Sequence, residues 1–458
     1  MKQLLLIIGA ILFSTLFYKQ NMGLNLSIFS IFSTILLVIY NKAAFKRKSS
    51  KAFALVYFIT ALMVFFYQSN LSIITNCIAF LTLIGHISEQ SSSVYINWLN
   101  GLYTSIAGFI HRYIDIQNND QEVTKKQIDY LHLAKIIGIP LIVIIVFIGF
   151  YKNGNPVFGE LISKIDFGFI NIQWLLFSII GYLLFRNISK PVQVNPATSC
   201  DLNTGNNLVS KTETKLEHLV KENQLGFILI TLLNVLIVFF LITDITYLMS
   251  SQDFRAPAIS NQVHSGINAL IASIIFAIII ILYFFRGHLN FYKANKNLKI
   301  VTYIWIALNT LLVINIAVKD CQYIYYFGLT YKRIGVLIYL ILTVIGLITT
   351  AIKVKQIKNL WYLLRLNTMT AFAILIIAST INWDNHITNY NLYYAQSMDF
   401  KYLINLSNNN TFLLKNYAKN TPLSVDKNTS IDEKHKNYID KLKDHSWQEL
   451  QFDNFKLK

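Results

Sequence analysis

The sequence predicts an all-α protein, a polytopic transmembrane helix bundle of about 11 spans followed by a small extracytoplasmic C-terminal tail. Three observations predict it. Of 458 residues, 54% are apolar and only 14% charged, too apolar a balance for a soluble chain of this length. Continuous apolar stretches, each close to the length that crosses hydrocarbon, recur from Leu4 to Ile381. The loops between them alternate between Lys/Arg-rich and Lys/Arg-poor. Helices are the spanning element, because a helix satisfies its own backbone where lipid offers no partners. A β-barrel would show short alternating strands, whereas runs such as LGFILITLLNVLIVFFLI from Leu225 are unbroken.

In chain order the expected spans are Leu4–Phe17, Leu24–Tyr40, Ala52–Tyr67, Leu71–Ile87, Ile136–Phe150, Ile170–Phe185, Leu225–Leu248, Ile267–Phe285, Ile300–Val318, Val336–Ile352 and Met369–Ile381. The basic loops NKAAFKRKSSK from Asn41, RGHLNFYKANKNLK from Arg286 and KVKQIKNLWYLLR from Lys353 then share one side. With Met1 in the cytoplasm, inside segments hold 23 Lys/Arg, outside loops 7 and the tail 10, the tail also carrying nine acidic residues. The net charge of +17 is therefore a positive-inside bias and gives no reason to expect nucleic-acid binding. An odd number of crossings puts the termini on opposite sides, and the charge bias puts the N-terminus in the cytoplasm and the C-terminus outside it. The abundance of Ile, Asn, Lys, Phe and Tyr suggests a bacterial genome and hence the inner (cytoplasmic) membrane. Met1–Phe17 has the outline of a signal peptide, but no small-residue cleavage site follows in LFYKQNMG, so an uncleaved first span is expected.

The chain divides into an N-terminal six-span region (1–186), a cytoplasmic polar linker (187–223), a C-terminal five-span region (224–381) and an extracytoplasmic tail (382–458). Within the first region, apolar residues recur at Tyr95, Leu99, Leu102, Ile106, Phe109, Ile110 and Tyr113 of the segment 94–115, with Asn97, Asn100, Ser105 and Arg112 largely opposite. That pattern is an amphipathic helix, either in the headgroup region or packed under the bundle. The linker holds Pro191, Pro196 and the run KTETKLEHLVKEN, which suggests a flexible connection ending in a polar helix.

Ionisable groups near hydrocarbon are costly and usually have a partner or a task. Asp244 follows the apolar run of the seventh span. Arg255 and His264 lie on the next loop, Asp320 closes the ninth span, and Arg333 opens the tenth. All belong at the outer interface, as a joint polar cluster or as separate groups in headgroup water. Asn234 and Asn309 lie deeper, where an amide hydrogen-bonds a neighbouring helix or contacts a substrate. Cys77, Cys200 and Cys321 make no CxxC or ligand spacing, and the histidines are scattered, so neither a metal nor another cofactor is expected. HExxH, GxSxG and GxxxxGK[ST] are absent.

From the seventh span onward the chain resembles the bacterial multi-spanning membrane proteins grouped as domain of unknown function 4153/4173. The carrying stretches are HSGINALI (His264–Ile271), FFRGHLNFYK (Phe284–Lys293), YIYYFGLTYKRIGV (Tyr323–Val336), NWDNHITNYN (Asn382–Asn391) and DFKYLINLS (Asp399–Ser407). The resemblance implies the membrane architecture and lends no activity. In these stretches Gly328 permits a tight turn, Thr330 can bond nearby backbone, and Arg333 can pair with Asp320 or Asp244. Asp384 and Asn391 enter the same layer as the chain leaves the membrane. The expectation is an outward-facing polar cap over spans seven to eleven, with the tail folded against it. Three functions fit: a non-enzymatic sensor, scaffold or assembly partner touching the lipid bilayer and other envelope proteins; a transporter of a small solute or lipid-linked group; and a membrane enzyme acting on lipid.

Overall fold

A computed structural model describes residues 2–119, 139–140, 143–144, 146–151, 154–163, 171–210, 216–250 and 256–457. Its helices are α1 (Lys2–Phe17), α2 (Leu24–Tyr40), α3 (Lys48–Tyr67), α4 (Asn70–Ser88), α5 (Val94–Asn119), α6 (Pro156–Ser163), α7 (Ile172–Ser189), α8 (Asn195–Asn203), α9 (Leu216–Ser250), α10 (Ala256–Phe284), α11 (Lys296–Phe327), α12 (Tyr331–Gln356), α13 (Leu360–Ser379), α14 (Trp383–Tyr393), α15 (Phe400–Asn405), α16 (Thr411–Asn420) and α17 (Val425–Lys443). Among the described residues the extended backbone pairs only at an isolated bridge, Asn207 with Lys358. The protein is all-α.

Seven of these helices are long and apolar enough to cross a membrane: α3, α4, α7, α9 (over Leu216–Thr246), α11, α12 and α13. Three shorter apolar helices, Lys2–Phe17, Leu24–Tyr40 and Ala269–Phe284, fall on the first, second and eighth expected spans. The fifth, Ile136–Phe150, lies largely outside the described residues. Several helices start where the sequence supplies a short polar side chain to accept a free N–H of the first turn. Ser69, Asn171, Thr330, Asn359, Asn382 and Asp399 each do so.

Three apolar cores result. One joins α1–α4 and α7 around Leu16, Leu37, Tyr57, Leu83 and Phe185. The second joins α9–α12 around Ile230, Ile281, Trp305, Ile316 and Leu347. The third lies in the tail, where Ile387, Phe400, Leu403, Leu414 and Ile431 pack with Ile334 of α12. Helix α13 connects the first two: the Phe372 ring lies 6.5 Å from Phe53 and 6.1 Å from Trp98, and Trp361 stacks on Tyr95 at 6.4 Å.

The loops fall into two groups at opposite ends of the bundle. At the basic end, Tyr40 donates to Lys2 O (2.8 Å), Asn41 to Ser189 O (2.9 Å), Gln90 to Ala44 O (2.9 Å), and the Leu208 N–H to Ile357 O (2.9 Å). At the other end, Tyr18 donates to Gln173 (2.8 Å), and the Ser397 N–H to Tyr326 O (2.9 Å).

Helix α5 packs on the basic end with an inverted polarity. Asn97, Asn100 and Thr104 are buried against the protein, while Leu99, Leu102, Ile106, Ile110 and Tyr113 are exposed. Its contact with α4 is so close that a Cβ on Gly85 would lie 1.8 Å from the Asn97 oxygen, and one on Gly101 1.9 Å from that of Leu81. Trp98 donates to Thr82 (2.9 Å) across the same seam. Arg112 closes the far end of the helix by donating to the carbonyls of Arg186 (2.8 Å), Asn187 (3.1 Å) and Lys190.

The segment after α7, expected to be a flexible linker, is instead laid down bond by bond through residue 210. Thr104 and the Val192 backbone exchange hydrogen bonds, the Val194 N–H donates to Asn100, and α8 docks through Asn100 and Thr198. Buried amides on α5 supply partners that composition does not reveal.

Candidate functional site

The cap is built where α11 ends and α12 begins. Gly328 makes the turn at φ +81°, a conformation L side chains rarely adopt, and a Cβ there would meet Asn391 Oδ1 at 2.5 Å. The Asn391 amide sits against this turn in place of a side chain: its oxygen accepts the Leu329 N–H and its nitrogen donates to Leu329 O (2.9 Å). Thr330 caps α12 by accepting the Arg333 N–H. The Arg333 guanidinium, 4.1 Å above the Tyr323 ring, donates to the carbonyls of Phe327 (2.9 Å) and Gly328. Of the two carboxylates the sequence offers Arg333, Asp320 feels its charge, while the guanidinium's hydrogen bonds go to the last carbonyls of α11, which lack helical partners.

Asp384, at the start of α14, is buried and accepts from Tyr331 OH (2.8 Å), Ser407 and Asn409. The Tyr331 N–H donates to Tyr402 OH (3.0 Å), so one tyrosine joins α12 to α14 and another joins it to α15. Behind them Lys434 of α17 reaches four oxygens: Ile404 O (2.9 Å), Leu406 O (2.9 Å), Ser407 O (3.1 Å) and Asn410 Oδ1 (2.8 Å). Burial pulls the Lys434 ammonium down to about 8, against the pull of Asp384. The oxygens thus compensate its desolvation only in part. Asn410 is buried and also donates to Thr388 (2.7 Å) and Leu403 O (2.9 Å).

The tail then runs back across the bundle to the first turn of α2. The Leu24 and Asn25 N–H groups donate to Leu450 O (2.9 Å) and Gln448 O (2.8 Å), and Glu449 accepts from the Asn21 backbone (2.6 Å) and side chain (2.8 Å). Burial would raise the Glu449 carboxyl, but the N–H donors of Asn21 and Ser446 outweigh it and hold the group below its ordinary value. A second clamp closes the basic end. Arg365 of α13 donates to Asp201 of α8 through Nε (3.1 Å) and Nη2 (3.0 Å), to Thr204 O (2.8 Å) and to Asn206 (2.6 Å). Asp201 also accepts from the Ser93 N–H and hydroxyl and from Tyr95 OH, each at 2.8 Å. Burial alone would raise this carboxyl; the five donors hold it below the usual carboxylate value.

The expected cap residues separate in this structure. Thr330, Arg333, Asp384 and Asn391 meet at the turn, with Asp320 buried one turn below Tyr323 and its Oδ2 unbonded. Asp244 belongs to another network: Lys319 of α11 lies 2.5 Å from it and Asn315 donates to it. Arg255 and the His264 side chain lie outside the described residues. Asn234 donates to Val301 O (2.9 Å) and joins α9 to α11, whereas Asn309 donates to Trp305 O (2.8 Å) of its own helix. Tyr402 lies in the stretch Asp399–Ser407 that carries the resemblance, whereas no motif marks Lys434, Glu449, Asp201 or Arg365. Only Arg365, in the last basic loop, stands in a stretch the hydropathy pattern marks.

Among the described residues no three His, Cys, Asp or Glu side chains gather to hold a metal ion. An open groove of about 520 Å³ follows one face of α11, lined by Ile314, Ala317, Val318, Cys321, Gln322, Tyr325 and Tyr326, with none of the charged candidates among them. A family profile described as "Domain of unknown function (DUF4153)" matches residues 5–417. The match takes in both halves of the bundle, beyond the C-terminal stretches that carry the visible motifs. No curated protein and no solved structure matches the chain.

Proposed function

The chain belongs to the DUF4153 family, and from that premise we propose that this integral membrane protein is a non-enzymatic scaffold, sensor or assembly partner of the bacterial inner membrane, its cap facing outward to envelope proteins. One observation carries the reading: Asp384, Lys434, Asn391 and Glu449 are each bonded to neighbouring groups of the cap or to the first hairpin. These bonds build a fixed surface, and the groove along α11 beside it is lined by none of the charged candidates.

The orientation follows from charge. Lys42, Lys46, Arg47, Lys48, Arg186, Lys190, Arg286, Lys358 and Arg365 lie at the basic end, which is cytoplasmic by the positive-inside rule. Parity supports eleven crossings. Arg112 of α5 is bonded at the basic end and Gln173 at the cap end, which agrees with a single span at Ile136–Phe150 between them.

Transport is the second reading, favoured by the Asp244–Lys319 pair with Asn315 inside two spanning helices. A lipid-acting enzyme would need Asp244, His264 and Arg333 to converge; the His264 side chain lies outside the described residues, and Asp244 and Arg333 stand in separate networks. A photo-crosslinker at exposed Tyr394 tests the scaffold reading in cells. A discrete adduct that disappears in Asp384→Ala, at equal protein level, supports it. Solute flux by purified protein in proteoliposomes, abolished by Asp244→Asn, overturns it.

A further inference from the structure

The last segment of the tail is inside-out. Glu449, Gln451 and Asp453 are buried, at 8%, 3% and 7% exposure, while Trp447, Phe452 and Phe455 stand out at 51%, 43% and 57%. The two buried carboxylates are bonded, Glu449 to Asn21 and Asp453 to Tyr438 OH (2.7 Å) and Lys456 (2.6 Å), and the Gln451 backbone N–H donates to Asn454 (2.8 Å). In water this arrangement is the wrong way round, because it spends polar groups on the interior and leaves three large aromatic side chains in solvent. It is the natural arrangement for a segment with protein on one side and lipid on the other.

The position of the segment agrees. Phe452 lies 5.4 Å from the ring of Phe66 and Phe455 6.4 Å from that of Phe65, both in the last turn of α3, a helix long and apolar enough to span. Gln448 donates to Thr15 O (3.1 Å) in the last turn of α1. The segment therefore rests on the rim formed by the ends of α1, α2 and α3, and its aromatic side continues the exposed surface of a spanning helix. Lys456, 5.4 Å from the Phe452 ring, supplies the cation that accompanies aromatic side chains at such a boundary.

We propose that residues 446–457 are a membrane anchor, with Trp447, Phe452 and Phe455 seated in the headgroup–acyl boundary of the outer leaflet beside α3. The occupant is phospholipid; a second protein or bulk water are the competing outcomes. The anchor rests on the assignment of the cap end to the outer face only for which leaflet it meets, and lipid contact is tested independently of sidedness. It makes the tail a strap held at three places, at Asp384, at the first hairpin and in the bilayer.

The test is fluorescence of the full-length protein in phosphatidylethanolamine/phosphatidylglycerol vesicles, wild type against the conservative variant Trp447→Phe. The difference spectrum isolates Trp447 from the other five tryptophans. With lipids brominated near the headgroup, the Trp447 signal should fall roughly twofold or more, and by more than aqueous acrylamide lowers it, as for an interfacial indole. Stronger quenching by acrylamide than by bromolipid overturns the proposal in favour of a water-facing strap. Protection from both quenchers overturns it in favour of a protein partner.

Discussion

Replacing Arg365 by Ala removes the side chain that holds the segment after α7 against α13. The guanidinium makes the bidentate contact to Asp201 and bonds Asn206 and the carbonyls of Asp201 and Thr204, while only 22% of its side chain and 3% of Asp201's is exposed. Deleting one member of a buried ion pair typically costs about 3–5 kcal/mol, because the other charge is left uncompensated. Here Asp201 keeps Ser93 and Tyr95 as donors, which places the expectation at the lower end, about 3 kcal/mol. Since every 1.4 kcal/mol is about tenfold in an equilibrium, local opening should become roughly a hundredfold more frequent.

Hydrogen exchange read by mass spectrometry reports this directly. The reporting amides are those of Thr204, Leu208 and Asn359, bonded to Cys200 O, Ile357 O and Asn206 O. Peptides covering 200–210 and 357–360 should exchange roughly a hundredfold faster in Arg365→Ala, with α11 peptides unchanged as the control. Arg365→Lys, which keeps the charge but loses the fork, should fall between. Unchanged exchange in both peptides, in a protein that still folds, refutes the claim that this pair clamps the two halves.

Three further outcomes are expected. Asp201 has a folded-state pKa below its ordinary 3.8, so its contribution is present above that value and is lost as pH falls below it; the exchange protection of 200–210, corrected for intrinsic rate, should drop there and not in Asp201→Asn. Gly328→Ala adds a Cβ at φ +81° against Asn391, costing about 1–2 kcal/mol from backbone conformation alone, and a melting curve should show the loss. Lys434→Met strips a donor from four oxygens and should lower cap stability by about 1–3 kcal/mol, seen as faster proteolysis between Asn405 and Val425 with the spanning helices intact.

Some of this architecture was legible in the sequence because it follows from local chemistry. Unbroken apolar runs gave the helices, and the motif at Tyr323–Val336 gave the turn, since Gly328 and Thr330 each act on backbone within a few residues of themselves. What stayed hidden depends on distant partners. Asp201 and Arg365 are far apart in sequence, and Glu449 meets Asn21 from the opposite end of the chain, so no periodicity connects them. Polarity left two placements open. The stripe on α5 was visible at Leu99, Leu102, Ile106 and Ile110, but periodicity reports two unlike faces without telling which one meets the protein. In α5 and in the strap the polar face turns inward, because the buried partners are hydrogen-bonding groups. Arg333 shows the same limit at one residue: the sequence offered two carboxylates as partners, and the carbonyls at the end of α11 that take the guanidinium's hydrogen bonds were not foreseen.

The central claim is that one end of the bundle, basic and clamped by Arg365, faces the cytoplasm while the strapped cap faces away from it. Cysteines placed at exposed Asp426 and exposed Val209 report on the two ends, each read against the unsubstituted protein, with a membrane-impermeant thiol reagent applied to intact and to permeabilised cells. The account predicts that Asp426→Cys reacts in intact cells and Val209→Cys only after permeabilisation. Equal reactivity of both in intact cells, or the reverse order, contradicts it.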